Sequence, residues 1–183
     1  MSARIDPQRR PFAPAIEERL SKLMPPGVAP LVLFTTLARD ERLFERFMGG
    51  GLLDKGRLSL RHREIVIDRV TAQCGSEYEW GVHIAFFGER AGLTPAQSRS
   101  LVLGDARDPC WDDETERLLI RFCDALHAEC DVDDGLWAGL SAAFSDETLL
   151  ELLLLAGFYR TVSYLTNALR LPLEPFAARF PAS

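Results

Sequence analysis

The sequence predicts an all-α protein, a bundle of about seven or eight helices around a central helical hairpin. Apolar residues recur at spacings of three and four along most of the chain, which is the spacing of one helical face. No segment shows the alternation of apolar and polar residues that is typical of a strand, and no repeat has a solenoid period. With 183 residues, 47% of them hydrophobic, the chain can bury the core of a single domain.

The N-terminal part is predicted to contain an extended arm followed by three helices. Residues 1–14 carry three prolines and form the arm, so the single helical domain comprises residues 15–183. Helices are predicted over residues 16–24, 31–38 and 40–48, and a run of three glycines is expected to break the last of them.

The next stretch is predicted to form the central hairpin. Its first helix ends at Gly75, because glycine adopts the left-handed conformation of a helix C-terminus without steric cost. Ser76 begins the second helix, and Ser76 and Glu79 have the spacing of a capping box. Glu79 and His83 are four residues apart and therefore share one face. An antiparallel return of the chain would bring Glu64 opposite both of them.

The C-terminal half is predicted to contain the remaining helices. One begins at Thr94-Pro95, where threonine is a good cap and proline suits the first helical position. Two others are expected over residues 114–129 and 133–142. The last helix is expected to start within residues 144–147 and to run to about residue 169.

Two of these helices carry informative apolar patterns. The helix over residues 114–129 is expected to turn one apolar face inward, with its inner residues being Leu118, Phe122, Ala125 and Leu126. Cys123 and Cys130 share a face with Leu119 and Leu126 and are expected to be small core residues. The run Leu149–Leu155 is apolar nearly all round. This favours burial on two sides, by the core of the chain itself and by another copy of the chain.

The hairpin also carries the groups best suited to chemistry. Histidine changes charge near neutral pH, and burial raises the pKa of a carboxyl group toward that range, so two carboxylates near one imidazole can transfer protons. Glu64, Glu79 and His83 are therefore the candidate catalytic residues. A structural interpretation stays open, in which Glu79 is only a cap and Glu64 pairs with Arg61 or Arg69.

The same residues carry a family resemblance. The string Gly-Ser-Glu-Tyr-Glu-Trp-x-x-His at Gly75–His83, with Glu64 twelve residues before Ser76, resembles the carboxymuconolactone decarboxylase family, which includes the alkylhydroperoxidase D-like proteins. The family pattern is Glu, twelve residues later Cys-x-x-Cys, and His four beyond the second Cys. Here Ser76 and Glu79 stand at the cysteine positions and His83 at the histidine position. The chain thus looks like the branch of the family that lacks the cysteine pair.

This resemblance extends more loosely over residues 30–173, and it implies a helical bundle that assembles into trimers or hexamers. It also implies a cofactor-independent enzyme that decarboxylates or isomerises a small carboxylated lactone or related acid. His83 would carry the proton, while Glu64 and Glu79 would orient it and tune its pKa. The candidate substrate-binding residues beside them are Ser76, Tyr78 and Cys74.

A carboxylated substrate would also need a cationic partner on the protein. Arg69 and Arg160 are the two candidates for that role. For each of them, ion pairing at the surface is the favoured interpretation.

Two other functions remain open. A thiol peroxidase needs a reactive thiolate and a resolving thiol. A two-cysteine cycle is not expected, because the four cysteines include no Cys-x-x-Cys, although a one-cysteine reaction at Cys74 is conceivable. Alternatively, Glu64, Glu79 and His83 could bind a divalent metal, or the chain could be a non-catalytic oligomer. Two carboxylates and one histidine specify no particular metal, so no metal or other cofactor is predicted.

Charge and composition narrow the range of partners. The net charge of −6 argues against nucleic-acid binding, which needs a basic surface. No charge-free apolar stretch reaches the roughly 20 residues that span a bilayer, so no membrane partner is expected. No apolar core follows the N-terminal arginines, so a secretory signal is not expected. We therefore expect a cytoplasmic protein with reduced cysteines, a small-molecule substrate and other copies of the chain as partners.

Overall fold

The computed structural model describes residues 3–25, 27–52 and 54–182, and it confirms the all-α prediction. Within those ranges the chain forms nine α-helices, eight of them of seven residues or more, and no strand. In chain order the helices are α1 (Pro14–Leu23), α2 (Val32–Leu37), α3 (Glu41–Gly50), α4 (Leu60–Gln73), α5 (Glu77–His83), α6 (Pro95–Leu103), α7 (Glu114–Glu129), α8 (Asp134–Ala143) and α9 (Asp146–Ala168).

Helix α4 lies at the centre of the bundle, where it packs against α5, α6, α7 and α9. Its middle residues, 65–67, are apolar and have no exposed surface. Three ionisable residues on the same helix are also buried: Glu64, Asp68 and Arg69. Because a buried charge is costly unless it is paired or hydrogen-bonded, the surroundings of α4 must supply partners for these groups.

The turn between α4 and α5 has the predicted geometry. Gly75 has a φ of +64°, in the left-handed region. The amides of Gly75 and Ser76 donate to the carbonyls of Ala72 and Thr71, each at 2.9 Å, which completes a Schellman motif. The predicted end of the first hairpin helix is therefore confirmed.

The predicted capping box at the start of α5 is wrong. Ser76 is the N-cap residue, but its side chain makes no capping hydrogen bond. Its hydroxyl is fully buried and hydrogen bonds with the Thr166 hydroxyl of α9 at 2.8 Å. A buried hydroxyl needs a partner, and here α9 supplies it. The side chain of Glu79 faces His83 instead of the start of the helix.

The second helix of the hairpin contains a feature that the sequence analysis did not predict. Immediately after His83, α5 continues into a π-helical turn, Ile84–Gly88. The chain then leaves the helix through Gly92, which has a φ of +69°. Such π turns inside helices are frequent at functional sites.

Helix α3 runs further than predicted, into the run of three glycines. It ends at Gly50, with Gly51 as its C-cap residue. A Cβ atom on Gly50 would lie 2.8 Å from the ring of Phe158 on α9. Glycine at this position therefore permits close packing of α3 against α9. The helix continues through the first two glycines of the run instead of ending before them.

The predicted N-terminal arm precedes α1. From residue 3 to residue 13 the chain forms no helix, and residues 1 and 2 lie outside the described part. The amide of Arg4 donates to the carbonyl of Leu169, and the amide of Gln8 donates to the carbonyl of Thr35. The segment is thus attached to the end of α9 and to α2.

Helix α9 is the longest helix and is buried on one side only. Its buried face includes Leu149, Leu152 and Leu155 and packs against α4 and α5. By length and composition alone this helix could cross a membrane, a test that core helices also pass. Leu150 and Leu154 are 62% and 65% exposed, so the chain's own core covers only part of the predicted apolar run.

Candidate active site

The hairpin brings the three candidate catalytic residues together in the core. Nδ1 of His83 lies 2.8 Å from Oε2 of Glu64 across the α4–α5 contact. Nε2 of His83 lies 3.4 Å from Oε1 of Glu79, one turn earlier on α5. All three side chains are buried, with at most 8% of any of them exposed. The predicted approach of Glu64 to His83 is therefore confirmed.

A fourth buried ionisable residue, Asp68, joins them. It lies one turn after Glu64 on α4 and interacts electrostatically with Glu64, His83 and Glu79. Neither of its carboxyl oxygens has a hydrogen-bond partner, and the same is true of Oε2 of Glu79. Burial, reinforced by the charge of Glu64, holds the pKa of Asp68 well above its usual range, despite the opposing effect of His83. We call Glu64, Asp68, Glu79 and His83 the His83 cluster.

The imidazole of His83 is held in its charged form. Burial alone would lower its pKa, because a buried group resists charging. The negative charges and hydrogen bonds of Glu64 and Glu79 outweigh burial and raise the pKa of His83 to about 10. At neutral pH both ring nitrogens therefore carry protons, and Nδ1–H donates to Glu64.

Aromatic and cationic side chains complete the surroundings of His83. The Tyr159 ring of α9 stands edge-on to the imidazole, with ring centroids 5.0 Å apart, and Phe87 lies 5.4 Å away. Burial, then Glu79 and Glu64, raise the pKa of Tyr159. Nε of Arg63 donates to Glu64 at 3.2 Å. The Arg63 guanidinium and the His83 imidazole thus both pair with the carboxylate of Glu64.

Residues 41–120 match the carboxymuconolactone decarboxylase family. That segment runs from α3 into α7 and contains every residue of the His83 cluster.

Several solved structures share the fold across almost the whole chain. The uncharacterized peroxidase-related protein from Silicibacter sp. TM1040 is 16% identical, with a TM-score of 0.83 over 98% of this chain and 96% of that one. The debrominase Bmp8, solved with 2,3,4-tribromopyrrole, is 15% identical, with a TM-score of 0.79 over 96% and 94%.

A third similar structure is the alkylhydroperoxidase AhpD core of an uncharacterized peroxidase-related protein from Ralstonia eutropha JMP134. It is 16% identical, with a TM-score of 0.75 over 93% of each chain. At such identities the likeness establishes the fold alone. No curated protein sequence gives a significant match to this chain.

The three candidate substrate-binding residues do not join the His83 cluster through any hydrogen bond. Ser76 is bound to α9, as described above. The Tyr78 hydroxyl donates to Glu174 and accepts from the amide of Leu33, so it fastens the C-terminal segment to α2. Burial and Glu174 raise the pKa of Tyr78. Cys74 is half-buried and lines a separate cavity.

The arginines predicted around the same segment have structural roles. Arg69 is not a surface residue: it is 8% exposed, donates to Asp124 at 2.7 Å, and also donates to two backbone carbonyls. Arg61 pairs with Glu116. Neither arginine pairs with Glu64, so that interpretation of Glu64 is wrong. The arginine that does bind Glu64 is Arg63.

The sequence analysis missed Asp68 and Tyr159. Asp68 could have been found, because it follows Glu64 by four residues and must share its face if Glu64 is buried. Tyr159 gave no such signal, since only the packing of α9 against the hairpin brings it to His83. Across the described residues, no group of three or more His, Cys, Asp or Glu is arranged to hold a metal ion.

Proposed function

We propose that the chain is a carboxymuconolactone decarboxylase-like enzyme that uses acid–base chemistry without a cofactor. Its substrate would be a small carboxylated lactone or related acid, which it would decarboxylate or isomerise. The observation that carries the proposal is the buried His83, 2.8 Å from Glu64 and 3.4 Å from Glu79, inside the segment that matches the family.

Glu64, His83 and Glu79 each have a role in this proposal. Glu64 accepts the hydrogen bond that Nδ1–H of His83 donates and thereby fixes the ring orientation, as the carboxylate of a catalytic triad does. The proton on Nε2 is the one transferred. When the carbon–carboxylate bond breaks, carbon dioxide leaves and the electron pair stays on the substrate, where the Nε2 proton is added. Glu79 stabilises the imidazolium, and a proton from the solvent then restores the charge on Nε2 after each turnover.

Access to Nε2 is the further requirement of this mechanism. The imidazole is only 3% exposed, so a substrate reaches it after Glu79, its neighbour on the same helix face, has moved aside. The π-helical turn that begins at the next residue supports this step, because it departs from the regular helical hydrogen-bonding pattern directly beside the imidazole.

The test is decarboxylation of carboxymuconolactone by the purified protein, measured as carbon dioxide release. His83→Gln should lower turnover by about 10²–10⁴-fold, the usual cost of losing an acid–base group. Glu79→Gln should lower turnover in a protein that remains folded, because Glu79 does not cap α5. His62→Gln is the matched control, since His62 lies outside the cluster and its ring is edge-on to that of Phe144.

Two outcomes would contradict the proposal. One is undiminished turnover in His83→Gln with a folded protein by circular dichroism. The other is the absence of turnover with carboxymuconolactone and a panel of related carboxylated lactones.

A thiol-peroxidase reaction is the competing function, since similar structures include peroxidase-related proteins. The proposed alignment puts Ser76 and Glu79 at the positions of the two redox cysteines, and neither can form a disulfide. We therefore expect no peroxide consumption with a dithiol reductant. Turnover that disappears in Cys74→Ser would replace the acid–base proposal with a one-cysteine mechanism.

A further inference from the structure

The substrate proposed above is an anion, so the protein needs a cation near His83 to bind it. Neither arginine that the sequence indicated meets this need. Arg69 is buried and held by the ion pair and backbone hydrogen bonds described above. Within the described residues Arg160 forms no ion pair: it donates to the Tyr164 hydroxyl at 3.0 Å and lines the same separate cavity as Cys74. The cation that binds the substrate therefore lies elsewhere.

Two other guanidinium groups lie against one aromatic ring beside the imidazole. Phe87 packs on His83, with ring centroids 5.4 Å apart. Cζ of Arg63 lies 5.7 Å from the centre of the Phe87 ring, and Cζ of Arg90 lies 5.6 Å from it. Both distances fall within the roughly 6 Å over which cations are attracted to aromatic rings. Because the ring carries no net charge, it holds the two cations without neutralising them.

Arg90 is the accessible member of this pair. It is exposed, and no Asp or Glu among the residues that the structure describes forms an ion pair with it. The side chain of Arg63 is only 14% exposed and donates through Nε to Glu64. Arg63 thus extends from the surface to the His83 cluster, whereas Arg90 presents its charge to the solvent.

The backbone that carries Arg90 is held in place on the hairpin. Arg90 lies in the turn that directly follows the π-helical turn. The amide of Ala91 donates to the carbonyl of Phe87 at 2.7 Å, and the guanidinium of Arg61 on α4 donates to the carbonyl of Gly92 at 2.7 Å. These bonds fix the turn relative to both hairpin helices, so the position of this cation beside the imidazole is built into the fold.

The charge of the surroundings makes a local cation necessary for an anionic ligand. The chain carries a net charge of −6, and the two glutamates Glu64 and Glu79 flank the imidazole. An anion that approaches His83 is therefore repelled by most of the molecule. Arg63 and Arg90 supply positive charge at the edge of the His83 cluster, where such an anion would have to enter.

We propose that Arg90, together with Arg63, binds a carboxylate that the substrate retains through the reaction. The class of ligand rests on the proposed function. A carboxylate paired with a guanidinium loses carbon dioxide less readily, because the ion pair stabilises the charge that the reaction removes. The carboxylate on Arg90 is therefore not the one that leaves. The substrate is thus a lactone with two carboxylates, a description that carboxymuconolactone fits.

Binding of an inert ligand tests this assignment without any turnover. The probe is γ-butyrolactone-γ-acetate, a saturated lactone with one carboxylate that the proposed reaction does not consume. In a titration of the full-length protein followed by nuclear magnetic resonance, we expect saturable binding. The uncharged methyl ester of the probe should bind at least about tenfold more weakly. Equal affinity for acid and ester, or no saturable binding of the acid up to tens of millimolar, would overturn the proposal.

Variants of the exposed arginine identify the cation. Arg90→Met removes the charge and keeps an unbranched side chain, and it should weaken binding of the acid by about tenfold. Arg90→Lys should retain most of the binding, because the positive charge remains. Arg42→Met is the matched control, since Arg42 is also exposed but lies on α3. Undiminished binding of the acid to Arg90→Met, or an equal loss in Arg42→Met, would contradict the assignment.

The imidazole signals of the wild type report where the probe binds. Phe87 contacts both arginines and His83, so bound probe should shift the ring-nitrogen resonances of His83. Those of His127, in the last turn of α7, should stay unchanged. Binding without a shift at His83, or with an equal shift at His127, would place the probe elsewhere and overturn the proposal.

Kinetics separate this assignment from the proposed reaction. With carboxymuconolactone, Arg90→Met should raise KM by about tenfold with little change in kcat, because a retained carboxylate is bound equally in the ground state and the transition state. An unchanged KM in Arg90→Met would contradict the assignment and leave the acid–base proposal intact. Undiminished turnover in His83→Gln would contradict the acid–base proposal instead, whereas the binding results on Arg90 need no turnover.

Discussion

At the scale of single residues, the charge of His83 affects both the proposed reaction and the stability of the folded protein. Its pKa is about 10 in the folded protein, because Glu64 and Glu79 outweigh the effect of burial. In the unfolded chain a histidine titrates near 6.5. The folded state therefore binds a proton that the unfolded state releases between these two values. The resulting stabilisation is fully present below about pH 6.5 and is lost as pH rises toward 10.

This difference predicts how stability depends on pH. Between about pH 6.5 and 10, the free energy of unfolding of the wild type should fall relative to that of His83→Gln, by up to about 1.4 kcal/mol per pH unit. Urea unfolding of both proteins at pH 6, 8 and 10 measures the difference. A constant difference across this range would show that His83 is not charged in the folded state.

Asp68 gives a pH dependence in the same direction, because burial favours its neutral, protonated form. Its pKa is raised above the ordinary value near 4, so the folded protein retains a proton that the unfolded chain loses. This contribution lowers stability progressively as pH rises above about 4. Asp68→Asn cannot titrate, so it should become more stable than the wild type by up to about 1.4 kcal/mol per pH unit above pH 4.

Thermal unfolding of both proteins at pH 4.5 and pH 7.5 checks this prediction. Glu64→Gln is an informative companion, because it removes a charge that raises the pKa of Asp68 and should reduce the effect. If Asp68→Asn is less stable than the wild type at pH 7.5 by more than at pH 4.5, then Asp68 is ionised and has a cationic partner.

The residue-level predictions succeeded where spacing along one helix determines proximity. Glu79 and His83 are four apart, and the hairpin return that Gly75 forces brings Glu64 to them. Spacing could not separate the two roles open to Glu79. The capping role required the Ser76 hydroxyl to stay at the helix start, but its burial against α9, a contact distant in sequence, decided otherwise.

At the scale of elements, the close contact of α5 with the C-terminal segment depends on Gly81. A Cβ atom there would lie 2.3 Å from the carbonyl oxygen of Ala178, and the amide of Ala178 donates to the carbonyl of Gly81. Trp80 packs on Phe180 beside this contact. The C-terminal segment thus covers the helix that carries His83.

Two helical glycines therefore predict opposite effects of the same substitution. Gly81→Ala should destabilise the protein by about 1–3 kcal/mol, because backbone must move to make room. Gly157→Ala should stabilise it by about 0.5–1 kcal/mol, because the helix gains a better former and nothing is displaced. Thermal unfolding measures both, since 1 kcal/mol corresponds to about 2–4 °C in a chain of this size. Equal effects would mean that α5 does not contact the C-terminal segment as described.

Helix bounds were easier to predict than the faces that helices bury. Helix α7 spans Glu114–Glu129, as predicted, and Asp113 caps it. Leu119, Phe122 and Cys123 are fully buried, as expected, and so is Ile120. The other residues expected inside are only partly buried or exposed: Leu118, Ala125 and Leu126 are partly buried, and Cys130 is exposed. The helix packs between α4 and α8, so side chains on two of its sides are buried. The buried surface is therefore wider than the single apolar face that the sequence indicates, and it is rotated relative to that face.

At the scale of the whole molecule, the exposed face of α9 is the strongest indication of self-association. Leu150, Leu154 and Tyr164 are each about 60% exposed and lie along one side of the helix. We expect the protein to be oligomeric at micromolar concentration. Leu154→Glu should shift its mass toward the 20.5 kDa of the monomer.

Light scattering after size-exclusion chromatography measures this change. Leu43→Glu is the matched control, because Leu43 is also exposed but lies on α3. A wild-type mass of 20.5 kDa, or an equal shift in both variants, would contradict an interface formed by α9.

The central position of α4 has a consequence for how this sequence can diverge. One face of the helix holds the acidic groups that keep an imidazole charged, and another face lines a cavity. Both arrangements therefore depend on the same rotation of the helix about its axis. A single inserted residue would turn everything beyond it by about 100° and displace both sets together. Related chains should therefore vary in length in the loop over residues 105–113 and keep the length of α4 unchanged.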